Sequence, residues 1–361
     1  MASSSADIGY MYFPVDELPD VVLVNVFSFF NVKQKCRVAG VSRRWNAIAK
    51  DPRLWKIVDD TPKGSGGLLA FIRAYCGNSL LSFKSSGHMT TPALKLIRRM
   101  CPGIQEFTLC DLTSEKQINL CVLPSQLTSL TLISFPYIRN SAWWDFLSSD
   151  RMPCLRRLCL RDFKMSNQNG ILQQLPQLPM LTHLSLGFQK HHLQSSSEFD
   201  AIVAPVATNL QNLEVLRLGY GTEFIFHRLV RNNLRNNMPK LRRLDLYYFF
   251  DQIYGEIPEY LSPLASLPLL EHLDIPRIQW TSLGYRADKV EVIHEIAKDI
   301  ADAVMTFPAG KLKQLLIGLE ADPEAIPKAE CVITSNEAIL VELRRRLPAG
   351  ISIKKGTYTE E

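Results

Sequence analysis

The chain contains residue types that could perform chemistry, but their spacing does not form a catalytic pattern. The best candidates for binding a metal ion are three histidines and two acids, His183, His191, His192, Glu198 and Asp200. Imidazole and carboxylate groups are common zinc ligands. These residues fall in the longest early interval of a repeated pattern, however, and a polar insertion explains them better. We therefore predict that the chain binds no metal.

Other reactive groups also lack the partners that catalysis requires. Cys110 and Cys159 have no accompanying His and Asp pattern that would make either thiol a nucleophile. The stretch 64–67 is glycine-rich, but no Lys-Ser or Lys-Thr follows it, so it is not a phosphate-binding loop. The motifs HExxH and GxSxG do not occur in the sequence. The sequence thus predicts a protein that is not an enzyme and uses no cofactor.

A repeated sequence pattern predicts the strands and helices that would position any binding residues. The pattern apolar-x-x-apolar-x-apolar occurs eight times, and a degenerate copy begins at Leu80. The full copies begin at Ile104, Leu127, Leu155, Leu181, Leu213, Leu241, Leu270 and Leu312. Most first residues are 23 to 29 residues apart, close to the roughly 20–29 residues of leucine-rich repeats.

The spacing within each copy decides which side chains are buried. We number the places from the first apolar residue, so that places one, four and six are apolar. In a strand, places four and six point to one side and places three, five and seven to the other. A unit with one apolar side buries it by stacking on its neighbours. We therefore predict an α/β solenoid, a curved parallel sheet with strands lining the concave face and helices on the convex side.

Segments outside the copies complete this architecture. Their apolar spacing predicts helices at 94–100, 226–234, 290–307 and 337–347, an opening strand at 55–58 and a closing strand at 351–354. Place nine holds neither Asn nor Cys in any full copy, so the usual side-chain ladder is missing. We expect apolar or aromatic side chains in its place.

The N-terminal module, residues 14–58, does not fit the repeat. It opens with a helix that is apolar nearly all round. A second short helix follows Asn31, and a third covers residues 41–50. One face of the first helix combines four large side chains, Leu23, Val26, Phe27 and Phe30.

This module needs something to cover it. Residues 14–58 are too few to form a complete hydrophobic core alone. Either the first repeat or another protein must therefore pack against them. A cap over the open end of the solenoid is the alternative, although a cap should present a polar outer face. Between residues 31 and 56, eight basic residues stand against one acid, which suits an acidic partner.

Four elements of this module resemble the F-box motif, in order and at family spacing. They are Leu18-Pro19, Leu23-x-x-Val26-Phe27, Val41-x-x-x-Trp45 and Leu54-Trp55. Ser42 stands where many members have Cys, and Phe30 stands where Leu is usual. Placed ahead of leucine-rich repeats, these elements make the chain similar to the F-box/LRR-repeat family along nearly its whole length.

The resemblance implies a scaffold role without chemistry. F-box proteins are substrate receptors of SCF-type ubiquitin ligases, in which the F-box docks on a Skp-family adaptor and, through it, on cullin and RING subunits. The resemblance also implies which residues make or support the adaptor interface: Leu18, Pro19, Leu23, Val26, Phe27, Val41, Trp45, Leu54 and Trp55. An F-box protein with a ligase-independent role and a plain repeat interaction protein remain as alternatives.

The predicted concave face gathers basic and aromatic side chains on its middle strands. Such groups bind acidic, phosphorylated or carboxylate-bearing peptides, and a solvated sheet face with scattered charges is the alternative. The candidate substrate-binding residues are Arg157, Arg161, His183, Arg217, Arg243, Tyr247 and His272.

A second basic group has a different interpretation. Arg228, Arg231 and Arg235 have helical spacing, but no aromatic residues alternate with them as in nucleic-acid-binding surfaces. We interpret them as a solvated helix face and expect no nucleic-acid partner.

Composition and targeting signals indicate the class of protein and its compartment. The net charge is +5, and 46% of the residues are apolar, which is typical of a globular protein. The sequence shows no secretory signal or membrane span, and its eight cysteines form no CxxC pair, so we expect a cytoplasmic or nuclear protein. We expect a loosely packed or disordered segment at 1–13, an F-box at 14–58, a loop at 59–67 and the repeat domain at 68–361.

Overall fold

The structure is a computed structural model of the whole chain. It describes residues 15–59, 61, 65–86, 89–111, 118–134, 141–163, 174–188, 210–219, 238–246, 261–275, 290–318 and 329–356. The predicted loosely packed segment 1–13 lies outside these ranges.

The described α-helices lie at the two ends of the chain. The first five are α1 Asp20–Ser28, α2 Val32–Val38, α3 Arg43–Ala49, α4 Ser65–Tyr75 and α5 Thr91–Met100. The last two are α6 Val290–Met305 and α7 Ala329–Arg346. None of the helices in the described ranges is long and apolar enough to cross a membrane.

Eleven strands form one parallel sheet whose spatial order is the order of the chain. They are β1 Ile57–Val58, β2 Ser82–Ser86, β3 Glu106–Cys110, β4 Ser129–Ile133, β5 Arg157–Phe163, β6 His183–Phe188, β7 Val215–Leu218, β8 Arg243–Leu246, β9 His272–Ile275, β10 Gln314–Gly318 and β11 Ser352–Gly356. The register places equivalent repeat places side by side, as in Arg157 beside His183. The predicted α/β solenoid is confirmed.

The apolar residues of the repeat pattern form the hydrophobic core beneath this sheet. In all eight full copies the residues at places one, four and six are 3% exposed or less. The polar places three and five are mostly half-exposed on the other side of the strands, giving the alternating burial of β3 and β4. That second side is the concave face.

The convex side differs from the prediction in the middle of the chain. The predicted helices at 94–100 and 290–307 are present as α5 and α6, and the predicted final helix begins earlier, at Ala329. The described connections between β3 and β9 instead contain short 3-10 helices, Leu120–Val122, Ser141–Phe146, Leu175–Gln177 and Ser262–Ser266. The interval from Ile104 to Leu127 is 23 residues, which a tight 3-10 turn spans more easily than a full helix. The predicted helix at 226–234 lies outside the described residues.

Three other boundaries also shift. Trp55 ends a 3-10 helix, Pro52–Trp55, so the opening strand is shorter than predicted and consists of Ile57–Val58. The side chain of Asp51 accepts from the Arg53 N–H at the start of this turn, which stabilises the 3-10 helix over an extended chain. The last three residues of the predicted 59–67 loop belong to α4, and the closing strand occupies Ser352–Gly356.

A side-chain ladder runs along the edge where the strands begin, at the residue just before place one. Asn212 Nδ2 donates to the Pro179 carbonyl at 2.9 Å, and Lys240 Nζ donates to Asn212 Oδ1 at 2.7 Å. The Gln126 amide donates to the Pro102 carbonyl in the same way. The bonds from Asn212 and Gln126 satisfy turn carbonyls of the preceding repeat, and the bond from Lys240 holds the Asn212 side chain. The apolar or aromatic side chains that we expected at place nine lie outside the part of the chain whose side chains the structure describes.

Candidate functional site

The helices of the N-terminal module begin at polar caps that the sequence supplies. The Asn31 side chain accepts from Gln34 N and the Gln34 side chain accepts from Asn31 N, both at 2.9 Å. This reciprocal capping box starts α2. Ser42 is extended, and its hydroxyl accepts from Trp45 N at 3.1 Å. Because Ser42 is the cap, α3 begins at Arg43, and Val41 precedes the helix that was predicted to include it.

The buried side of α1 differs by one residue from the predicted face. Leu23, Val24 and Phe27 are buried, while Val26 is exposed. The ring of Phe27 meets the edge of the Trp45 indole, with ring centroids 5.3 Å apart. Phe30 stacks on Phe27, with ring centroids 5.7 Å apart. The helix α3 and the 3-10 helix Pro52–Trp55 pack against α1, with Leu23 and Val24 buried and Val26 exposed.

Trp55 joins this module to the repeats. Its indole packs 4.6 Å from the ring of Tyr75 and 5.4 Å from that of Phe71, both on α4. The indole Nε1 donates to the carbonyl of Ala49, at the end of α3, at 2.7 Å. In the sheet register Val58 pairs with Phe83, so Trp55 occupies place one of the first strand.

The predicted adaptor-binding residues thus separate into two groups. Leu23, Phe27, Leu54 and Trp55 are buried within the module or against the repeats, so in this structure they can support a binding surface but not touch a partner. Pro19, Val26 and Val41 are exposed, and Leu18 and Trp45 are half-buried.

Further exposed apolar side chains lie on α1 and just after it. We call this surface the helical patch and define it as Pro19, Val21, Val22, Val26, Phe29 and Val41. Phe29 is 87% exposed and Val41 is 63% exposed. Exposed apolar surface of this kind marks interaction sites, and it is not the polar outer face of a cap.

The basic residues of the module are partly occupied by internal partners. Lys35 is buried, and its Nζ donates to the Leu54 carbonyl at 2.9 Å over the Trp55 ring. Burial lowers the pKa of Lys35, and the nearby Asp59 carboxylate opposes that shift. Arg44 pairs with Asp20, and Arg53 pairs with Asp51, each at 2.7 Å. The side chains of Arg37, Arg43, Lys50 and Lys56 are exposed.

The concave face carries the predicted substrate residues in two in-register rows. Arg157, His183, Arg243 and His272 occupy place three of β5, β6, β8 and β9. Arg217 occupies place five of β7, beside Asp245 of β8. Arg161 lies at place seven of β5, and Tyr247 lies outside the described residues.

Sequence reasoning missed the role of Asp245. This carboxylate is 1% exposed, and it accepts from Nε of both Arg217 and Arg243 at 2.7–2.9 Å. The alternation of strand residues places Asp245 on the concave face, but the sequence does not show that two guanidinium groups cover it. On the other flank, Arg157 pairs with Glu106, two strands away, at 2.7 Å. The arginines are therefore held in place by carboxylates at their outer edges.

His183 lies between these two arginine groups. Its Nδ1 is 2.9 Å from the Thr182 hydroxyl. Burial lowers the pKa of His183, and the charges of Arg157 and Arg217 lower it further, while Glu214 opposes the shift. These effects together favour the uncharged imidazole. His272 hydrogen-bonds instead to the Gln314 side chain, with Nδ1 3.0 Å from Oε1.

The candidate reactive groups do not assemble within the described part of the chain. There, no three His, Cys, Asp or Glu side chains gather in a way that could hold a metal ion. His191, His192, Glu198 and Asp200 lie outside the described residues. Burial raises the pKa of the Cys110 thiol, which disfavours the thiolate that a nucleophile requires.

Comparison with known proteins gives one family match and several relatives. Residues 15–60 match the F-box-like family model. The chain is 31% identical over 320 residues to human F-box/LRR-repeat protein 12 and 30% identical over 317 residues to the mouse protein of that name. The bovine protein is 29% identical over 320 residues. Each match covers 76% of this chain and 91% of the relative.

Proposed function

Because this chain belongs to the F-box/LRR-repeat family, we propose that it is the substrate-recognition subunit of an SCF-type ubiquitin ligase. The N-terminal helices dock on a Skp-family adaptor, and through it on cullin and RING subunits. The concave face or the C-terminal end of the repeats holds a protein substrate for ubiquitination. The chain itself carries out no reaction, needs no cofactor and works in the cytoplasm, the nucleus or both.

The helical patch is the observation that carries this proposal. Phe29 and Val41 are large or branched apolar side chains that the fold leaves in water. A partner that covers them removes apolar surface from water, which stabilises the complex by about 25 cal/mol per Å² of buried apolar surface. The exposed Arg37 and Arg43 lie on α2 and α3, where they suit an adaptor with an acidic rim.

The buried residues of the F-box motif have a supporting role in this proposal. Leu23 and Phe27 fix the inner side of α1, and Leu54 and Trp55 fix the module to the first strand. Leu18 and Trp45 are half-buried, whereas Pro19, Val26 and Val41 are exposed. The contact energy is expected mainly from the exposed apolar residues, since apolar anchors dominate most interfaces.

On the substrate side, we propose an acidic protein. Arg157 and Arg217 remain about half-exposed even though each has a carboxylate partner. Charge-assisted hydrogen bonds from guanidinium groups to acidic side chains are among the strong ones. His272, Arg161, Arg243 and Tyr247 remain candidates for the same surface.

Co-purification with a Skp-family adaptor tests the proposal. The variant Val41→Glu places a charge in the helical patch and should weaken adaptor binding at least tenfold. Val341→Glu is the matched control, because Val341 is 61% exposed on α7 at the other end of the chain. Full adaptor binding by Val41→Glu, or equal loss in both variants, would reject the docking surface.

A second measurement separates the ligase from a ligase-independent role. The adaptor-bound chain is purified from cells in which cullin activation is blocked, and proteins that co-purify are then assayed for ubiquitination with cullin activation restored. Cullin-dependent modification of a bound protein supports the proposal. Adaptor binding without any such modification would favour a ligase-independent F-box protein.

A further inference from the structure

We infer that the open edge of β11 binds an extended segment of the substrate, which adds a twelfth parallel strand to the sheet. The segment that fits this edge alternates apolar and acidic residues. This inference rests on the proposed function, because it assigns the C-terminal end of the repeats to one chemical class of substrate.

The outer edge of β11 presents backbone groups that no described strand uses. In the described sheet β11 is the last strand and pairs with β10. Ser352 N donates to the carbonyl of Lys313, just before β10, at 2.9 Å. Successive residues of a strand present their N–H and C=O groups to opposite edges, so the groups of Ile353 and Lys355 point away from β10. Such a row of unpaired groups is a template for another strand.

The two ends of the sheet differ in how much edge they offer. At the first end β1 has two residues, and a very short edge strand gives little room for pairing. At the last end β11 has five residues. Ile353 of β11 is 9% exposed, the highest value among the apolar core residues that the structure describes. The core therefore reaches this edge without full cover, and one more strand would extend it.

The charge around β11 selects an acidic partner. Residues 343–356 contain five basic residues and no acid. Lys354 is exposed on β11, and Arg344 is exposed in the last turn of α7, which packs on β11. The nearby Glu342 pairs with the other two arginines of that turn. Like charges on facing strands repel each other, so a second copy of β11 is a poor partner and an acidic segment is a good one.

The register of the sheet specifies where the acidic residues of the partner lie. Ile353 pairs with Leu315 at place four, which faces the core, and Lys354 pairs with Leu316 at place five, on the concave face. In an added strand the residue beside Ile353 is therefore apolar, and the residue beside Lys354 is acidic. The N–H at place three donates to the preceding strand, as Ser352 shows. The acidic residues of an added parallel strand would thus donate their N–H groups to β11.

Fluorescence polarisation of labelled peptides tests the inference with the full-length chain. The probe is a short peptide in which valine and glutamate alternate. A peptide of the same composition, with valines and glutamates in separate blocks, should bind roughly tenfold more weakly, because it cannot present one apolar and one acidic face. N-methylation of the glutamates should abolish binding, since it removes the donors that face β11. N-methylation of the valines should be tolerated, and equal effects of the two modifications would overturn the inference.

Substitutions in β11 locate the site on the protein. Lys355→Pro removes an N–H from the open edge without removing a bond to β10, a position at which a strand tolerates proline. Lys355→Ala is its matched control, because it removes the same charge and retains the N–H. We expect the proline variant to bind the probe roughly tenfold more weakly than the alanine variant. Equal binding by the two variants would overturn the inference.

A second pair of variants tests the charge. Lys354→Glu should weaken probe binding roughly tenfold, because it places an acid beside the acids of the probe. Lys84→Glu is the matched control, since Lys84 is an exposed lysine at place five of β2, near the other end of the sheet. Thermal unfolding checks that each variant is folded. Equal loss of binding in these two variants would also overturn the inference.

Light scattering and adaptor binding are measured on the same samples. A dimer that Lys355→Pro converts to a monomer would overturn the inference, because the edge would then belong to a second copy of the chain. Probe binding without adaptor binding would reject the proposed function and leave the strand site standing. Adaptor binding without probe binding would reject the strand site alone.

Discussion

The carboxylate of Asp245 lies 2.9 Å from Nε of Arg217, on the neighbouring strand of the sheet. Asp245 is buried, whereas the arginine is about half-exposed. Burying a carboxylate is unfavourable unless it has hydrogen-bonded partners. The same bond restricts the movement of the Arg217 guanidinium. The pair therefore stabilises the fold and orients a guanidinium on the concave face.

Replacing Asp245 with Asn should lower the free energy of unfolding by about 1–3 kcal/mol, since charged hydrogen bonds are lost. Denaturant unfolding measures the change. Glu271→Gln is the control, because Glu271 also meets two basic side chains, Arg242 and Lys313, but the Glu271 side chain is itself 26% exposed. That variant should change stability by less than about 1 kcal/mol. A larger effect in the control would contradict the importance assigned to burial.

Trp55→Phe should destabilise the N-terminal module and the first repeat together. The change removes the hydrogen bond to Ala49 and part of the packing on α4, at a cost of about 1–3 kcal/mol. Hydrogen exchange should accelerate in both α3 and α4. Trp144→Phe alters another buried tryptophan and should accelerate exchange only in the middle repeats. Faster exchange confined to α4 would show that the two modules are not joined through Trp55.

Glu342 should contribute to resistance against acid. Hydrogen bonds from Arg345 and Arg346 lower its pKa to about 2, although burial opposes the shift. A carboxylate with a lowered pKa stabilises the fold above its ordinary pKa near 4.5, and this stabilisation is lost as the pH falls toward 2. Glu342→Gln should therefore be less stable than the unmodified chain at pH 7, with a difference that shrinks between pH 4.5 and 2. Glu337→Gln, at an exposed position on the same helix, is the control. A difference that does not depend on pH would rule out this linkage.

Lys35 should resist acylation by an amine-reactive reagent, although it lies two residues from the exposed Lys33. Its ammonium is covered by Trp55 and donates to Leu54, so the reagent reaches it only when the module opens. Mass spectrometry of briefly labelled protein should show at least tenfold slower labelling of Lys35 than of Lys33. Similar rates would mean that this lysine is accessible in solution.

The repeat was predictable because its signal is local. Places one, four and six lie within six residues, and the pleat of a strand sends places four and six to one side. The same logic predicted α5 and α6 from their apolar spacing. The middle connections were harder, since a short apolar segment fits a 3-10 turn as well as a helix.

The site was predicted in its residue types more than in its contacts. The F-box motif identifies Val41 and Trp55 equally, yet one is exposed and the other buried, because burial depends on where α4 packs. Lys35 counted as a surface charge until the fold placed it under Leu54 and Trp55. The Arg217–Asp245 pair joins residues 28 positions apart, and no local pattern specifies such a partner.

The packing of Trp55 between the end of α3 and α4 fixes how far the concave-face residues lie from the N-terminal helices. The N-terminal helices and the sheet share one hydrophobic core among the described residues. Arg217 on β7 then lies six strand steps from β1, roughly 29 Å along the sheet at 4.8 Å per step. Each added or deleted repeat before β7 would change the distance between Arg217 and the N-terminal helices by one such increment, so the number of strands determines that distance.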